Sequence, residues 1–107
     1  LAVAYAGAFK PDECAKMLDL LSQAKLTEPG GSAPLFIRAG LPQETRVANK
    51  WGYDKEVRAN TAIVFTTSSD FVLVIFMRQF DVSDWRAASP PMADMARVAF
   101  NYFTLPR

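Results

Sequence analysis

The apolar positions of this chain switch from helical spacing to strand-like runs and back again. After Pro11-Asp12-Glu13, the residues Cys14, Met17, Leu18 and Leu21 recur at helical spacing and form one core-packing stripe. Proline is tolerated in a first turn and carboxylates there favour the positive end of the dipole, so the pattern predicts a helix beginning at Pro11. Strand-like stretches follow at residues 45–51, 60–67 and 71–78. In the last, Phe71-Val72-Leu73-Val74-Ile75-Phe76-Met77 is apolar without alternation, which predicts burial on both faces. Short polar breaks, Tyr53 to Arg58 and Ser68-Ser69-Asp70, join the strands as hairpin loops, so an antiparallel meander is the simplest topology. Ser89 can cap a final helix with Pro90 in its first turn, and Met92, Met95, Ala96, Ala99, Tyr102 and Phe103 share a face turned to the sheet.

The expected class is therefore α+β: a three-stranded antiparallel sheet packed by an N-terminal helix and a long C-terminal helix. Pro29-Gly30-Gly31-Ser32-Ala33-Pro34 is a loop by composition, and Gly40-Leu41-Pro42 marks another turn. Between them Leu35-Phe36-Ile37-Arg38 fits either a short helix or an extended segment.

At 107 residues the chain holds one small domain with a modest core. A 50% hydrophobic and 21% charged composition is globular, and no apolar run reaches the roughly 20 residues of a membrane helix. Twelve basic against 11 acidic residues leave a net charge of +1 without a basic stripe, which argues against nucleic acid as a partner. Cys14 is the only cysteine and histidine is absent, so an internal disulfide, Cys and His zinc sites and imidazole catalysis are excluded. No metal or cofactor is implied, and Cys14 reads as a buried small residue on a helix. Leu1-Ala2-Val3-Ala4-Tyr5-Ala6-Gly7 has neither an initiator methionine nor the features of a signal peptide. It reads as the end of a helix, and the expectation is one partial domain over residues 1–107, cut from something longer.

The candidate chemistry lies in Arg46-Val47-Ala48-Asn49-Lys50-Trp51-Gly52-Tyr53, where a cation ends a strand beside a glycine that would let a ligand approach the backbone. The order of elements, with Gly40-Leu41-Pro42, Val47-Ala48-Asn49-Lys50-Trp51-Gly52, Ala62-Ile63-Val64-Phe65 and Phe71-Val72-Leu73-Val74-Ile75, resembles the C-terminal part of class A β-lactamases and related penicillin-recognising serine hydrolases. In that family an active-site strand carries Lys-Thr-Gly or Lys-Ser-Gly, and the next strand often begins Asp-Ala-Ala-Ile-Val. Here the latter begins Asn60-Thr61-Ala62-Ile63-Val64.

The resemblance implies that Lys50 stabilises the substrate carboxylate and helps move a proton near the nucleophile. It implies that Gly52 lets substrate lie against the strand, and that the Tyr53 backbone N–H supplies half of an oxyanion hole, its side chain being irrelevant to that role. Trp51 stands where a hydroxyl would contact the carboxylate, Asn49 where histidine is common and Asn60 where aspartate is common. Arg58 reads first as a solvated hairpin arginine; the alternative is a replacement cation for the carboxylate from the second strand. The Ser-x-x-Lys and Ser-x-Asn strings of the family are missing. Ser22-Gln23-Ala24-Lys25 fits the first string but not its context, and Ser69-Asp70-Phe71 and Ser83-Asp84-Trp85 lack the asparagine.

The expected function is thus the C-terminal portion of a β-lactamase-like serine hydrolase, acting through an acyl-enzyme on a β-lactam, peptide or ester carbonyl, with its nucleophile outside this chain. The implied partners are that substrate and the remainder of the domain, and the implied location is the periplasm, cell surface or exterior. The alternatives are an inactive binding module of the same fold and an unrelated sheet-and-helix interaction domain. A lone sheet of this composition should also expose an apolar face and tend to associate with itself.

Overall fold

The computed structural model describes residues 9–23, 27, 31, 33–78 and 83–106. Residues 1–7, half of the glycine-rich loop and Lys25 lie outside the described residues, and with them the expectations placed there.

Helix α1 spans Pro11–Gln23 and carries Asp12 and Glu13 in its first turn. The Lys10 N–H donates to Glu13 Oε1 at 3.0 Å, which satisfies one free amide at the helix start. Cys14, Met17, Leu18 and Leu21 are half-buried, and α1 has no fully buried residue. The helix packs chiefly on one strand, so its stripe is only partly covered.

That strand is β1, Arg46–Tyr53, and it pairs antiparallel with β2, Val57–Phe65, which pairs antiparallel with β3, Phe71–Arg78. The sheet order β1-β2-β3 is the meander expected from the short connections. Both ends of β1 and of β2 differ from the sequence pattern, β1 starting one residue later and β2 ending two residues earlier. β1 runs through Gly52 to Tyr53, and β2 starts at Val57, because Asp54 and Val57 exchange backbone hydrogen bonds of 3.0 and 3.3 Å across a tight turn at Lys55 and Glu56. The Thr66-to-Asp70 connection is closed locally: Thr66 N–H donates to Asp70 Oδ1, and Thr66 Oγ1 accepts from the N–H groups of Ser68 and Ser69. Ser69-Asp70 is thus turn chemistry.

Register sorts the side chains. Val47, Asn49, Trp51 and Tyr53 share a face with Arg58, Asn60, Ala62 and Val64 and with Phe71, Leu73, Ile75 and Met77. Ala48, Lys50 and Gly52 project from the opposite face, where α1 lies. The first face holds the core, in which Val47, Ala62, Val64, Phe71 and Ile75 meet Phe36, Ile37, Met92 and Ala96.

The ambiguous segment is a 3-10 helix, Phe36–Gly40, held under helix α2, Ser89–Thr104. Phe36 adopts φ of 60°, an uncommon conformation for a bulky residue. Its N–H donates to Ser89 Oγ at 2.7 Å in the interior. Ser89 therefore does not cap α2, as its sequence position suggested; Ala88 is the N-cap and Ser89 opens the helix itself. A Cβ on Gly40 would collide with the Ala93 carbonyl, so glycine there permits the close approach of the two helices.

β3 is not buried on both faces. Phe71 and Ile75 are buried, whereas Val72, Val74 and Phe76 are exposed, Phe76 at 71%. α2 covers one face, and α1 packs chiefly on β1, which leaves the second face of β3 open among the described residues. The predicted stripe of α2 is likewise narrower than expected: Met92 and Ala96 are buried, while Met95, Tyr102 and Phe103 are exposed. No described helix is long and apolar enough to cross a membrane.

Candidate active-site wall

Lys50, Trp51 and Gly52 sit within β1, at the edge of the sheet. Backbone groups of an antiparallel strand point alternately toward and away from the partner. Since Asp54 and Val57 bond each other, the pairs Gly52 with Ala59 and Lys50 with Thr61 also bond, and the amides and carbonyls of Trp51 and Tyr53 point outward. The Lys50 Nζ donates to the outward Trp51 carbonyl at 2.6 Å. One edge therefore carries an ammonium group and, beyond Gly52, the free N–H of Tyr53.

Gly52 has no neighbour within 4 Å of where a Cβ would stand, and its φ is not in the left-handed region. Neither packing nor backbone conformation calls for glycine at this position. Open space beside an outward amide is what a ligand approaching the strand requires.

Trp51 takes the other face. Its ring lies 5.8 Å from Phe36, 5.9 Å from Trp85 and 4.8 Å from Tyr53, and its Nε1 is buried without an acceptor. Trp85 is set by the 3-10 helix Trp85–Ala88, whose N-cap Asp84 accepts from the Arg86 N–H at 3.0 Å. The Ser83-Asp84 string thus has a capping role.

Arg58 is 3% exposed, which corrects the expected solvated arginine. Its guanidinium lies 5.5 Å from the Tyr53 ring centre, and Nη1 donates to the Asp54 and Val57 carbonyls at 2.8 and 3.0 Å, while Nε has no partner. Arg58 and Trp51 leave the sheet on the face opposite Lys50. The structure thus brings together Lys50, Gly52 and the Tyr53 amide, and sets Trp51 and Arg58 behind them.

Three polar residues that local patterns did not single out as supports position this edge. Asn60, 1% exposed, accepts from the Ile37 N–H at 3.2 Å and donates to the Lys50 carbonyl at 3.2 Å. Asn49 is buried and accepts from Arg38 Nε at 3.3 Å. Arg38 Nη2 donates to the carbonyls of Ser22 at 2.9 Å and Val47 at 2.7 Å. It therefore joins the last turn of α1 to the outer edge of β1, where the negative end of the helix dipole favours a cation. Burial lowers its guanidinium pKa from the ordinary arginine value. Ser22 Oγ donates to Leu18 O at 2.7 Å, a helix-internal bond. Cys14 is half-buried, with Sγ 3.8 Å from the Phe9 carbonyl. Among the described residues no three of Cys, Asp or Glu converge to hold a metal ion.

A meander with a lysine-and-glycine edge strand, flanked by a helix on each face, defines this chain as part of a serine β-lactamase-type fold. A model of the Beta-lactamase enzyme family matches residues 1–103, and the chain belongs to that family. Solved structures agree at the level of fold. An ancestral class A β-lactamase superposes with a TM-score of 0.77 at 21% identity, over 95% of this chain and 37% of its own. For the β-lactamase of Burkholderia ambifaria the values are 0.75, 21%, 99% and 39%. For that of Burkholderia vietnamiensis they are 0.73, 24%, 96% and 36%. The chain spans little more than a third of the length of these structures. No curated protein sequence matches it.

Proposed function

We propose that this chain forms the C-terminal, substrate-facing wall of a β-lactamase-like serine hydrolase, whose nucleophile lies on sequence outside these 107 residues. The carrying observation is the β1 edge, with the Lys50 ammonium on one side of Gly52 and the outward Tyr53 N–H on the other. A serine on the facing wall attacks the carbonyl of a β-lactam, peptide or ester. The Tyr53 amide holds the developing oxyanion, and Lys50 stabilises negative charge and eases proton transfer to the leaving group. Water then releases the acyl group.

Behind the edge, Trp51 fills the aromatic cluster and Arg58 ties down the hairpin; through these contacts, both shape the substrate surface from the rear. The remainder of the domain covers Val72, Val74 and Phe76, and the isolated chain associates with itself through that face. The parent protein acts outside the cytoplasm, as its resemblance to exported hydrolases implies.

A fluorescent penicillin or a fluorophosphonate probe on the full-length protein tests this. Covalent labelling that Lys50→Ala abolishes supports it; labelling of the isolated 107 residues contradicts the placement of the nucleophile. A second reading, an inactive binding module, is favoured by one observation. Trp51 occupies the position of the family hydroxyl, and its donor is buried away from the edge. Absence of labelling by both probes, with the upstream serine and lysine replaced, would select it.

A further inference from the structure

Tyr53 is the exposed end of a line of aromatic rings that begins in the core. Trp85 lies 6.1 Å from Phe36, Phe36 lies 5.8 Å from Trp51, and Trp51 lies 4.8 Å from Tyr53. Tyr53 is 66% exposed, although Trp51 and the Arg58 guanidinium both lie against its ring. A tyrosine held by neighbours on a buried foundation loses little conformational freedom when a ligand stacks on it. Its edge and remaining face are then a prepared apolar surface, with the hydroxyl left to water.

The ring and the outward amide belong to one residue. A substrate carbonyl held by the Tyr53 N–H therefore places the groups attached to that carbonyl beside the Tyr53 ring. Resting on the proposed function, we propose that the Tyr53 side chain is a specificity-determining residue, forming an aromatic ledge that selects substrates bearing a flat aromatic group on the acyl side of the scissile bond.

The test uses the full-length protein and two matched substrates, an N-phenylacetylglycyl and an N-acetylglycyl thioester. The readout is the ratio of their kcat/KM values, since both substrates use the same backbone N–H and any general loss divides out. Tyr53→Ala should lower the phenylacetyl-to-acetyl ratio by about three- to tenfold, the range of one aromatic contact. Tyr53→Phe should retain it. An unchanged ratio in Tyr53→Ala overturns the ledge even if acyl transfer is confirmed.

If neither thioester is turned over, the hydrolase reading fails by itself, and equilibrium binding decides the ledge. N-phenylacetylglycinamide should then quench tryptophan fluorescence of the parent protein at a several-fold lower concentration than it does in Tyr53→Ala, with N-acetylglycinamide showing no such difference. Equal affinity of both proteins for the phenyl ligand overturns the proposal.

Discussion

Asn60 holds Lys50 in place through the backbone: its Nδ2 donates to the Lys50 carbonyl at 3.2 Å while its Oδ1 receives the Ile37 N–H. One buried amide thus links the 3-10 helix under α2 to the strand that presents the lysine. An amide suits the position because one end must accept and the other donate. Asn60→Leu should destabilise the protein by about 1–3 kcal/mol, since it strands the buried Ile37 amide. Asn60→Asp should be worse, because a carboxylate faces the Lys50 carbonyl without a donor between them. Urea midpoints of the two variants measure this, and a loss below about 0.5 kcal/mol for Asn60→Leu would show that the amide is not a structural joint.

Gly40, at the helix contact, and Gly52, at the site, should respond in opposite ways. Gly40→Ala drives a Cβ into the Ala93 carbonyl, and relief requires α2 and the 3-10 helix to separate. A loss of about 1–3 kcal/mol is expected, as for other overpacked interiors. Gly52→Ala meets nothing and should leave stability within about 0.5 kcal/mol. Its effect should appear in acylation, where the new methyl group obstructs the approach to the strand. Thermal melts of both variants beside probe-labelling rates separate the cases; a destabilised Gly52→Ala with normal labelling would reverse the assignment.

Much of the architecture was legible from local signals. The three strands, their antiparallel order and the start of α1 follow from apolar runs, short polar breaks and Pro11-Asp12-Glu13. The limits of β1 and β2 were not, because Gly52 and the polar residues after it read as a loop while cross-strand pairing at Asp54 and Val57 extends both strands. Burial of β3 on both faces was inferred from an unbroken apolar run, which records what the sequence can bury and not what covers it here. Lys50 and Gly52 were visible as a motif. Their supports were not, because Asn60 reaches Ile37 across 23 positions and Arg38 reaches Ser22 across 16, separations that no periodicity encodes.

Arg38 gives a prediction with a defined pH behaviour. Its folded-state pKa is lowered from the ordinary arginine value by burial, so the unfolded chain holds this proton more tightly. Burying the charge opposes folding at every pH below the folded pKa, and that penalty is relieved only as pH rises through the folded pKa toward the unfolded one. Through the neutral range the side chain stays charged and its hydrogen bonds to Ser22, Val47 and Asn49 stay intact. Arg38→Met should therefore destabilise by about 1.5–3 kcal/mol, the scale of charge-assisted hydrogen bonds. The difference from the parent should be the same at about pH 6 and about pH 9, far from the transition. A difference that changes between those pH values would mean that another titrating group depends on Arg38.

Trp51→Thr restores the hydroxyl that the family motif carries, and packing predicts that the restoration fails. The indole lies among Phe36, Trp85 and Tyr53, so threonine would leave a cavity in that cluster and withdraw the support beneath Tyr53. A half-buried tryptophan reduced to this size should destabilise by about 2–4 kcal/mol, somewhat below the cost at a fully buried site. The new hydroxyl would also leave the strand on the face opposite Lys50, since residues 50 and 51 alternate across the sheet. Labelling by a carboxylate-bearing penicillin should consequently not improve in Trp51→Thr, measured at a temperature where the variant remains folded. Improved labelling, with the loss of stability unchanged, would show instead that the edge strand can turn residue 51 toward substrate and that the tryptophan is what prevents it.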